Sequence, residues 1–113
     1  MASDVTRETI LLPDKWLSKE DLKLLIQTEF PNNQRMLSVA VCESGIRHFA
    51  PITGTILTSK TNDLGLFQIN SKTWLEKSKE LGYDIYTVRG NIKMARYIYE
   101  VQGINAWVCN KLI

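Results

Sequence analysis

Residues 36–45 of the chain read MLSVAVCESG, and this short stretch carries the strongest structural signal in the sequence. Its apolar residues follow the 3.6-residue period of an α-helix, with Met36, Val39 and Ala40 lying seven, four and three positions before Glu43. Glu43 is therefore predicted to project from the buried face of this helix, which Gly45 is expected to end. A carboxyl group in apolar surroundings resists ionisation, so Glu43 is a candidate general acid of the kind that cleaves a glycosidic bond.

A second motif, DLGLFQIN at residues 63–70, follows after a non-helical stretch. Glycosidic cleavage needs an acid at the leaving oxygen and a group that stabilises C1, which is either a second carboxylate or the N-acetyl group of the substrate. Asp63 is the candidate second carboxylate. Because aspartate near a glycine-containing turn commonly stabilises that turn, a purely structural role for Asp63 stays open.

The composition is that of an ordinary globular domain. The 113 residues are 44% hydrophobic and 23% charged, which argues against disorder, and no apolar stretch approaches transmembrane length. The formal charge of +2 is compatible with an anionic cell-wall polymer, and we expect no nucleic-acid partner. With a single histidine the sequence has no Cys/His cluster of metal-ligand spacing, so we predict neither a metal nor a cofactor.

We divide the chain into an N-terminal arm, residues 1–17, and one domain, residues 18–113. The arm mixes polar residues with Pro13 and is predicted to be extended as far as Trp16. Its first four residues lack the basic and apolar regions of a secretory signal, so export would need a removed signal or another route.

Capping residues and hydrophobic periodicity predict helices through most of the domain. Ser18 begins a capping-box pattern for the first helix, which ends before Pro31, and Asn32 or Asn33 caps the helix that carries Glu43. The remaining helices are predicted from a Ser71 cap to Leu81, from about Val88 to Gln102 with a buried stripe of Ile92, Ala95, Ile98 and Tyr99, and around Ala106, Trp107 and Val108.

The helical pattern disappears between Ile46 and Asp63. The β-branched residues of Ile52–Thr58 predict a small hairpin or an irregular lobe in this stretch. His48 lies here without a carboxylate or cysteine next to it, so we expect an exposed loop residue.

Several motifs, in order along the chain, resemble those of lysozyme-like peptidoglycan lytic transglycosylases, including the small ones of secretion and phage systems. These motifs are Glu43-Ser44-Gly45, Gly65–Asn70, and Asn91-Ile92 with Ala95. Residues 63–74 and 103–108 are also similar to active-site segments of c-type lysozymes. The resemblance covers residues 36–109 and implies a mainly α, lysozyme-like α+β fold, with a small lobe flanking an active-site cleft.

The resemblance also implies a role for each matching residue. Glu43 would be the catalytic acid and, in a transglycosylase, the base that removes a proton from the muramoyl C6 hydroxyl; Asp63 matches the second carboxylate of lysozymes. The implied substrate-binding residues are Ser44 and Gln68 in the cleft, Asn70 on an N-acetyl group, and Trp74 and Trp107 as aromatic faces for sugar rings. A mainly structural place in the core stays open as the alternative for both tryptophans.

Two cysteines, Cys42 and Cys109, leave open by number alone whether the chain has a disulfide or two buried thiols. In a fold of the family it resembles, the Glu43 and Trp107 motifs meet at one cleft, which would bring the cysteines close enough to bridge. The sequence departs from the family patterns because it lacks the Tyr-Asn-x-Gly segment of many larger lytic transglycosylases and the further cysteines of c-type lysozymes.

From the resemblance we expect an enzyme that cleaves the β-1,4 bond between N-acetylmuramic acid and N-acetylglucosamine in peptidoglycan, acting as a lytic transglycosylase. A hydrolytic muramidase using Glu43 and Asp63 is the alternative, and a non-catalytic glycan-binding module is the alternative from another class. The expected partners are peptidoglycan strands and a secretion or phage apparatus. We expect a monomer that acts in the periplasm or cell wall after export or phage delivery.

Overall fold

The computed structural model describes residues 12–109, and the fold within this range is mainly helical with a small sheet, as predicted. Residues 1–11 and 110–113 are not described, so most of the predicted N-terminal arm lies outside this range. Within the described part, the prediction of an extended chain as far as Trp16 was wrong, because Asp14–Trp16 forms a 3₁₀ helix. The elements, in chain order, are a 3₁₀ helix at Asp14–Trp16, α1 (Lys19–Glu29), α2 (Gln34–Ser44), β1 (Asp63–Leu64), β2 (Ile69–Asn70), α3 (Ser71–Leu81), α4 (Val88–Gln102) and a 3₁₀ helix at Ile104–Ala106.

Side chains at the first two helix starts have the predicted capping roles. The Ser18 hydroxyl accepts a hydrogen bond from the Asp21 backbone N–H, and the Asp21 carboxylate accepts one from the Ser18 backbone N–H. The side-chain oxygen of Asn33 caps α2, and Gly45 ends that helix with a φ of 67°. These contacts confirm the capping box, the Asn33 alternative and the glycine stop.

The predicted cap of α3 was wrong by one residue. The cap is Asn70, whose side-chain oxygen accepts from the Thr73 backbone N–H, and Ser71 is the first helical residue. The Ser71 hydroxyl instead donates to the Asn62 carbonyl oxygen at 3.1 Å. This bond ties the start of α3 to the lobe that precedes it.

The lobe between α2 and β1 is irregular. Isolated bridges join Phe49 to Ile56 and Thr58 to Leu64, but they do not extend into a hairpin over Ile52–Thr58. Ile52 is 96% exposed, so its β-branched side chain has no apolar face to pack against. The antiparallel sheet forms later instead, pairing Asp63 with Asn70 and Leu64 with Ile69.

The hydrophobic core lies among α1, α2 and α4. Met36, Val39 and Ala40 are completely buried, which confirms the predicted inner face of α2. They belong to one cluster with Ile26 of α1 and Met94 of α4. Because this packing fixes the rotation of α2 about its own axis, it also fixes the direction in which Glu43 projects.

The last described segment differs from the prediction in its bounds. The short helix expected around Ala106–Val108 is a 3₁₀ helix over Ile104–Ala106, and Trp107 follows its end. Trp107 is 5% exposed and Val108 is 78% exposed, so the chain buries the indole and turns its neighbour to solvent. Tyr99, predicted in the buried stripe of α4, is only partly buried. Within residues 12–109, no helix has the length and hydrophobicity that a membrane span requires.

Candidate functional site

Glu43 lies in the last turn of α2, with its side chain partly buried. Burial raises the pKa of Glu43 above its usual value, and this effect outweighs a hydrogen bond from the Cys109 backbone N–H, which lowers the pKa. The negative charge of Asp63 raises the pKa of Glu43 slightly further. Glu43 therefore retains its proton to higher pH than an exposed glutamate would.

The Asp63 carboxylate is surrounded by donors. It accepts hydrogen bonds from the Ser59 hydroxyl at 2.7 Å, from the Asn70 amide at 3.0 Å and from the Thr61 hydroxyl. Partial burial raises the pKa of Asp63, but these hydrogen bonds stabilise the charged form and leave the pKa below its usual value. Two carboxyl groups that interact electrostatically therefore have opposite pKa shifts, with the pKa of Glu43 raised and that of Asp63 lowered.

The loop at residues 65–68, between the two strands, is fixed by side chains from distant parts of the chain. The Leu66 backbone N–H donates to Nδ1 of His48 at 3.1 Å, and the Leu66 carbonyl oxygen accepts from the Ser44 hydroxyl at 2.7 Å. Ser44 is the last residue of α2, so the same turn of helix that carries Glu43 also positions this loop.

His48 is 2% exposed, and the prediction of an exposed loop residue was wrong. Its Nδ1 accepts from Leu66 while its Nε2 donates to the Tyr86 carbonyl oxygen at 2.7 Å, an arrangement that the neutral ring satisfies. Burial lowers the pKa of His48, and the Tyr86 carbonyl with the charges of Asp14 and Asp84 opposes this change only in part. Backbone groups, not a neighbouring acid or thiol, allow this ring to be buried.

Asn91 of α4 is the second buried polar residue that holds the loop. Its side-chain oxygen accepts from the Phe67 backbone N–H at 2.9 Å, and its amide donates to the carbonyl oxygens of Leu64 at 2.9 Å and Ile85 at 3.0 Å. Nε1 of Trp107 donates to the Phe67 carbonyl oxygen at 2.9 Å. All backbone polar groups of Leu66 and Phe67 are thus paired with side chains, which makes the loop rigid.

The loop approaches its neighbours so closely that position 65 requires glycine. Gly65 has a φ of 70°, and a Cβ atom there would lie 2.4 Å from the His48 ring and 2.9 Å from the Asn91 amide. Both the backbone conformation and the lack of space exclude a side chain.

Gln68 ends this loop in a left-handed conformation, with a φ of 49°. Its amide nitrogen donates to the Gly65 carbonyl oxygen at 3.0 Å and to that of Leu57 at 3.4 Å. Within residues 12–109 its amide oxygen has no hydrogen-bond partner and can accept from a ligand. A strained conformation of this kind costs about 1 kcal/mol or more and is concentrated at functional sites.

A cavity of about 100 Å³ brings five of the predicted residues together. They are Asp63, Gln68, Asn70, Trp74 and Trp107; the candidate acid Glu43 and Ser44 are not among its lining residues. Trp74 is partly buried and stands edge-on to Tyr97, with ring centroids 6.3 Å apart. Trp107 is nearly buried and its N–H is in use, so it forms a wall of the cavity and not an open platform.

Two predicted binding residues already use their polar groups within the protein. The Asn70 oxygen caps α3, and its amide donates to the Thr61 carbonyl oxygen and to Asp63. Ser44 is buried, lies outside the cavity lining and donates to Leu66. A substrate contact from either side chain would have to replace one of these bonds.

A disulfide joins Cys42 and Cys109, whose Cα atoms are 5.9 Å apart. Cys42 immediately precedes Glu43, and the backbone N–H of Cys109 donates to the Glu43 carboxylate. The covalent bond therefore holds the end of the described chain against the candidate acid.

Comparison of the chain with protein families, with curated proteins and with solved structures finds no match. Within residues 12–109 there is no group of three or more histidine, cysteine, aspartate or glutamate side chains that could hold a metal ion.

Proposed function

We propose that the protein cleaves the β-1,4 bond between N-acetylmuramic acid and N-acetylglucosamine in peptidoglycan, acting as a lytic transglycosylase on a lysozyme-like fold. The observation that carries this proposal is the pair of neighbouring carboxyl groups with opposite pKa shifts, Glu43 raised and Asp63 lowered. At a pH between the two pKa values such a pair supplies one proton donor and one standing negative charge, which is the requirement of glycosidic cleavage.

In the proposed mechanism Glu43 donates its proton to the glycosidic oxygen as the bond to C1 breaks. The ionised Asp63 stabilises the positive charge that develops on the sugar ring, and the N-acetyl group of the substrate assists at C1. The Glu43 carboxylate then takes the proton from the C6 hydroxyl, whose oxygen bonds to C1 and closes a 1,6-anhydro ring. This sequence returns Glu43 to its starting protonation state without consuming water.

The cavity supports the assignment of the substrate. Sugar rings have apolar C–H faces that pack on indole, and Trp74 is the partly open aromatic residue of the lining. The amide oxygen of Gln68, which has no hydrogen-bond partner within residues 12–109, is a suitable acceptor for the N–H of an N-acetyl group. A glycan strand would extend beyond this small cavity along the surface.

Hydrolysis is the second candidate outcome, and the fixed, ionised Asp63 favours it. Three hydrogen bonds hold this carboxylate in place, as a stabiliser of positive charge at C1 requires. Water, in place of the C6 hydroxyl, would then complete the reaction. We favour the anhydro product over the hydrolytic one because the motifs around Glu43 and Gly65–Asn70 resemble those of transglycosylases.

The test is incubation with purified peptidoglycan followed by mass spectrometry of the soluble muropeptides. We expect 1,6-anhydro ends, which are lighter than hydrolytic ends by one water molecule. Hydrolytic ends would support the second outcome, and the absence of any soluble muropeptide would contradict both. A glycan-binding module would instead bind the polymer without releasing product.

The substitution Asp63→Asn separates the two outcomes further. It removes the standing charge, so activity should fall by about 100-fold if Asp63 stabilises C1 during hydrolysis, and by less than about tenfold if the N-acetyl group performs this task. Initial rates of muropeptide release measure the difference. Circular dichroism of the variant is needed beside the rates, because Asp63 also orders the turn that contains Ser59 and Thr61.

Export to the periplasm or cell wall, delivery by a phage and association with a secretion apparatus belong to the same proposal. Each supplies a route by which the enzyme reaches its polymer.

A further inference from the structure

A second pocket, of about 200 Å³, shares no lining residue with the cavity that contains Asp63. Three basic side chains line it, Lys15, Lys19 and Arg47, together with one acidic side chain, Asp14. Apolar residues and His48 complete the lining; the apolar ones are Leu17, Leu22, Ile46, Phe49 and Val88. Three positive charges and one negative charge give the lining a net charge of +2, with His48 neutral.

Within residues 12–109, two of these basic side chains make contacts that do not neutralise their charge. Nζ of Lys19 donates to the Gly45 carbonyl oxygen at 3.0 Å, and Nζ of Lys15 lies 5.6 Å from the centre of the Phe49 ring. The ion pairs found within residues 12–109 involve none of the three basic side chains.

Asp14 offsets one of the three positive charges, and its carboxylate is held in place by a further contact. It accepts a hydrogen bond from the Val88 backbone N–H at 2.9 Å, at the start of α4. All three basic side chains are exposed, so solvent ions screen their field, which is strongest at low ionic strength.

We propose that this pocket binds an oxyanion, a carboxylate or phosphate group carried by a larger ligand. Arginine pairs with both groups through two parallel N–H bonds, and lysine adds point charges from neighbouring positions. The proposal does not depend on the proposed cleavage reaction, because the pocket and its charges are separate from Glu43 and Asp63.

Two adjacent residues of the pocket connect it to the loop that carries Gln68. The Arg47 backbone N–H donates to the Ser44 hydroxyl at 3.2 Å, and that hydroxyl donates to the Leu66 carbonyl oxygen. His48 accepts from the Leu66 backbone N–H. An oxyanion that fixes Arg47 would therefore be detected at Leu66 as well as in the pocket itself.

The experiment titrates the full chain with inorganic phosphate, and separately with acetate, at constant ionic strength while backbone amide resonances are followed by NMR. We expect saturable shifts at residues 45–49 and at Leu66. Stronger binding of phosphate would assign the pocket to phosphate groups, and stronger binding of acetate to carboxylates; either result supports an oxyanion site. Linear shifts spread over the surface would overturn the proposal.

The double variant Lys15→Gln/Arg47→Gln should weaken phosphate binding by about tenfold or more. The matched control, Lys72→Gln/Lys77→Gln, removes the same charge from α3 and should leave the affinity unchanged. An equal loss in both variants would show attraction to net charge alone and would also overturn the proposal. If the double variant does not fold, Lys15→Gln alone gives the same comparison against Lys72→Gln, since both side chains are exposed.

Discussion

The partial burial of Glu43 favours the proposed activity but lowers the stability of the fold when this side chain is ionised. Its pKa is raised in the folded chain, so the folded state binds its proton more tightly than the unfolded state. The favourable contribution of the protonated group is complete below the usual glutamate pKa and is lost as the pH rises through the raised value. Once the pH is above the raised pKa, the partly buried and ionised Glu43 therefore lowers the free energy of unfolding.

The substitution Glu43→Gln should abolish the activity and stabilise the fold. Glutamine keeps the shape and can accept the Cys109 N–H, but it cannot donate a proton to a leaving oxygen, so the rate should fall by about 100-fold or more. The melting temperature should rise relative to wild type, and more at pH 7 than at pH 4. Glu76→Gln, on the exposed face of α3, is the control. Wild-type rates in Glu43→Gln would remove Glu43 from the proposed role.

The burial of residues that follow a helical period could be predicted from the sequence, whereas the burial of residues outside such a period could not. Helical spacing placed Glu43 beside Val39 and Ala40 because the backbone geometry of a helix is repetitive. No period acts on His48, whose burial depends on the carbonyl group of Tyr86, 38 residues away. Asn91 did carry a usable signal: a polar residue within the apolar stripe of α4 indicates a buried hydrogen-bonding role.

At the scale of elements, the loop at residues 65–68 is built around one glycine. Gly65→Ala would place a methyl group against His48 and Asn91 in a left-handed conformation, and should destabilise the fold by about 3 kcal/mol or more. Gly82→Ala is a matched control, because Gly82 has a φ of 77° and no atom within 4 Å of the added Cβ. That control should cost only about 1 kcal/mol. Urea unfolding of both variants measures the difference, and equal losses would show that crowding at Gly65 is unimportant.

The disulfide links α2 to the end of the described chain beside Glu43, so reduction should affect both stability and activity. Closure of a loop between residues 67 apart stabilises a fold by about 4 kcal/mol in the chain-entropy model. Reduction should also free Cys109 from Glu43, lowering the rate and changing its pH profile. The variant Cys42→Ala/Cys109→Ala should reproduce the reduced protein and be insensitive to reductant. Unchanged rates and pH profile after reduction, with two added hydrogens seen by mass, would contradict this coupling.

The whole molecule divides into a predictable helical part and an unpredictable lobe. Caps and apolar stripes placed the four α-helices to within a residue or two, because these signals are local. The lobe between residues 46 and 62 depends on contacts between segments distant in sequence, such as the bond from Ser71 to Asn62. The cavity depends on the same contacts, so the sequence predicted five of its lining residues. It did not show that Asn70, which lines the cavity, and Ser44, which does not, already use their polar groups within the protein.

The acid stability of the whole molecule should depend on its single histidine. The pKa of His48 is lowered by burial, so between that value and the ordinary histidine pKa, about 6.5, the unfolded chain binds more protons than the folded one. The contribution of His48 is therefore present above pH 6.5 and is lost as the pH falls through its lowered pKa, by at most about 1.4 kcal/mol per pH unit. Asp63 contributes to the loss of stability at lower pH than His48 does, because its own pKa is below the usual aspartate value.

His48→Asn tests this dependence. The asparagine oxygen can take the place of Nδ1 and accept from Leu66, but it does not titrate, and the bond to Tyr86 is lost. We expect the variant to be less stable than wild type at pH 7.5 by about 1 kcal/mol, and to lose less further stability between pH 7.5 and 5. Urea unfolding at several pH values measures both quantities. Parallel losses in the two proteins over this range would mean that groups other than His48 set the acid limit, since only the wild type carries a histidine.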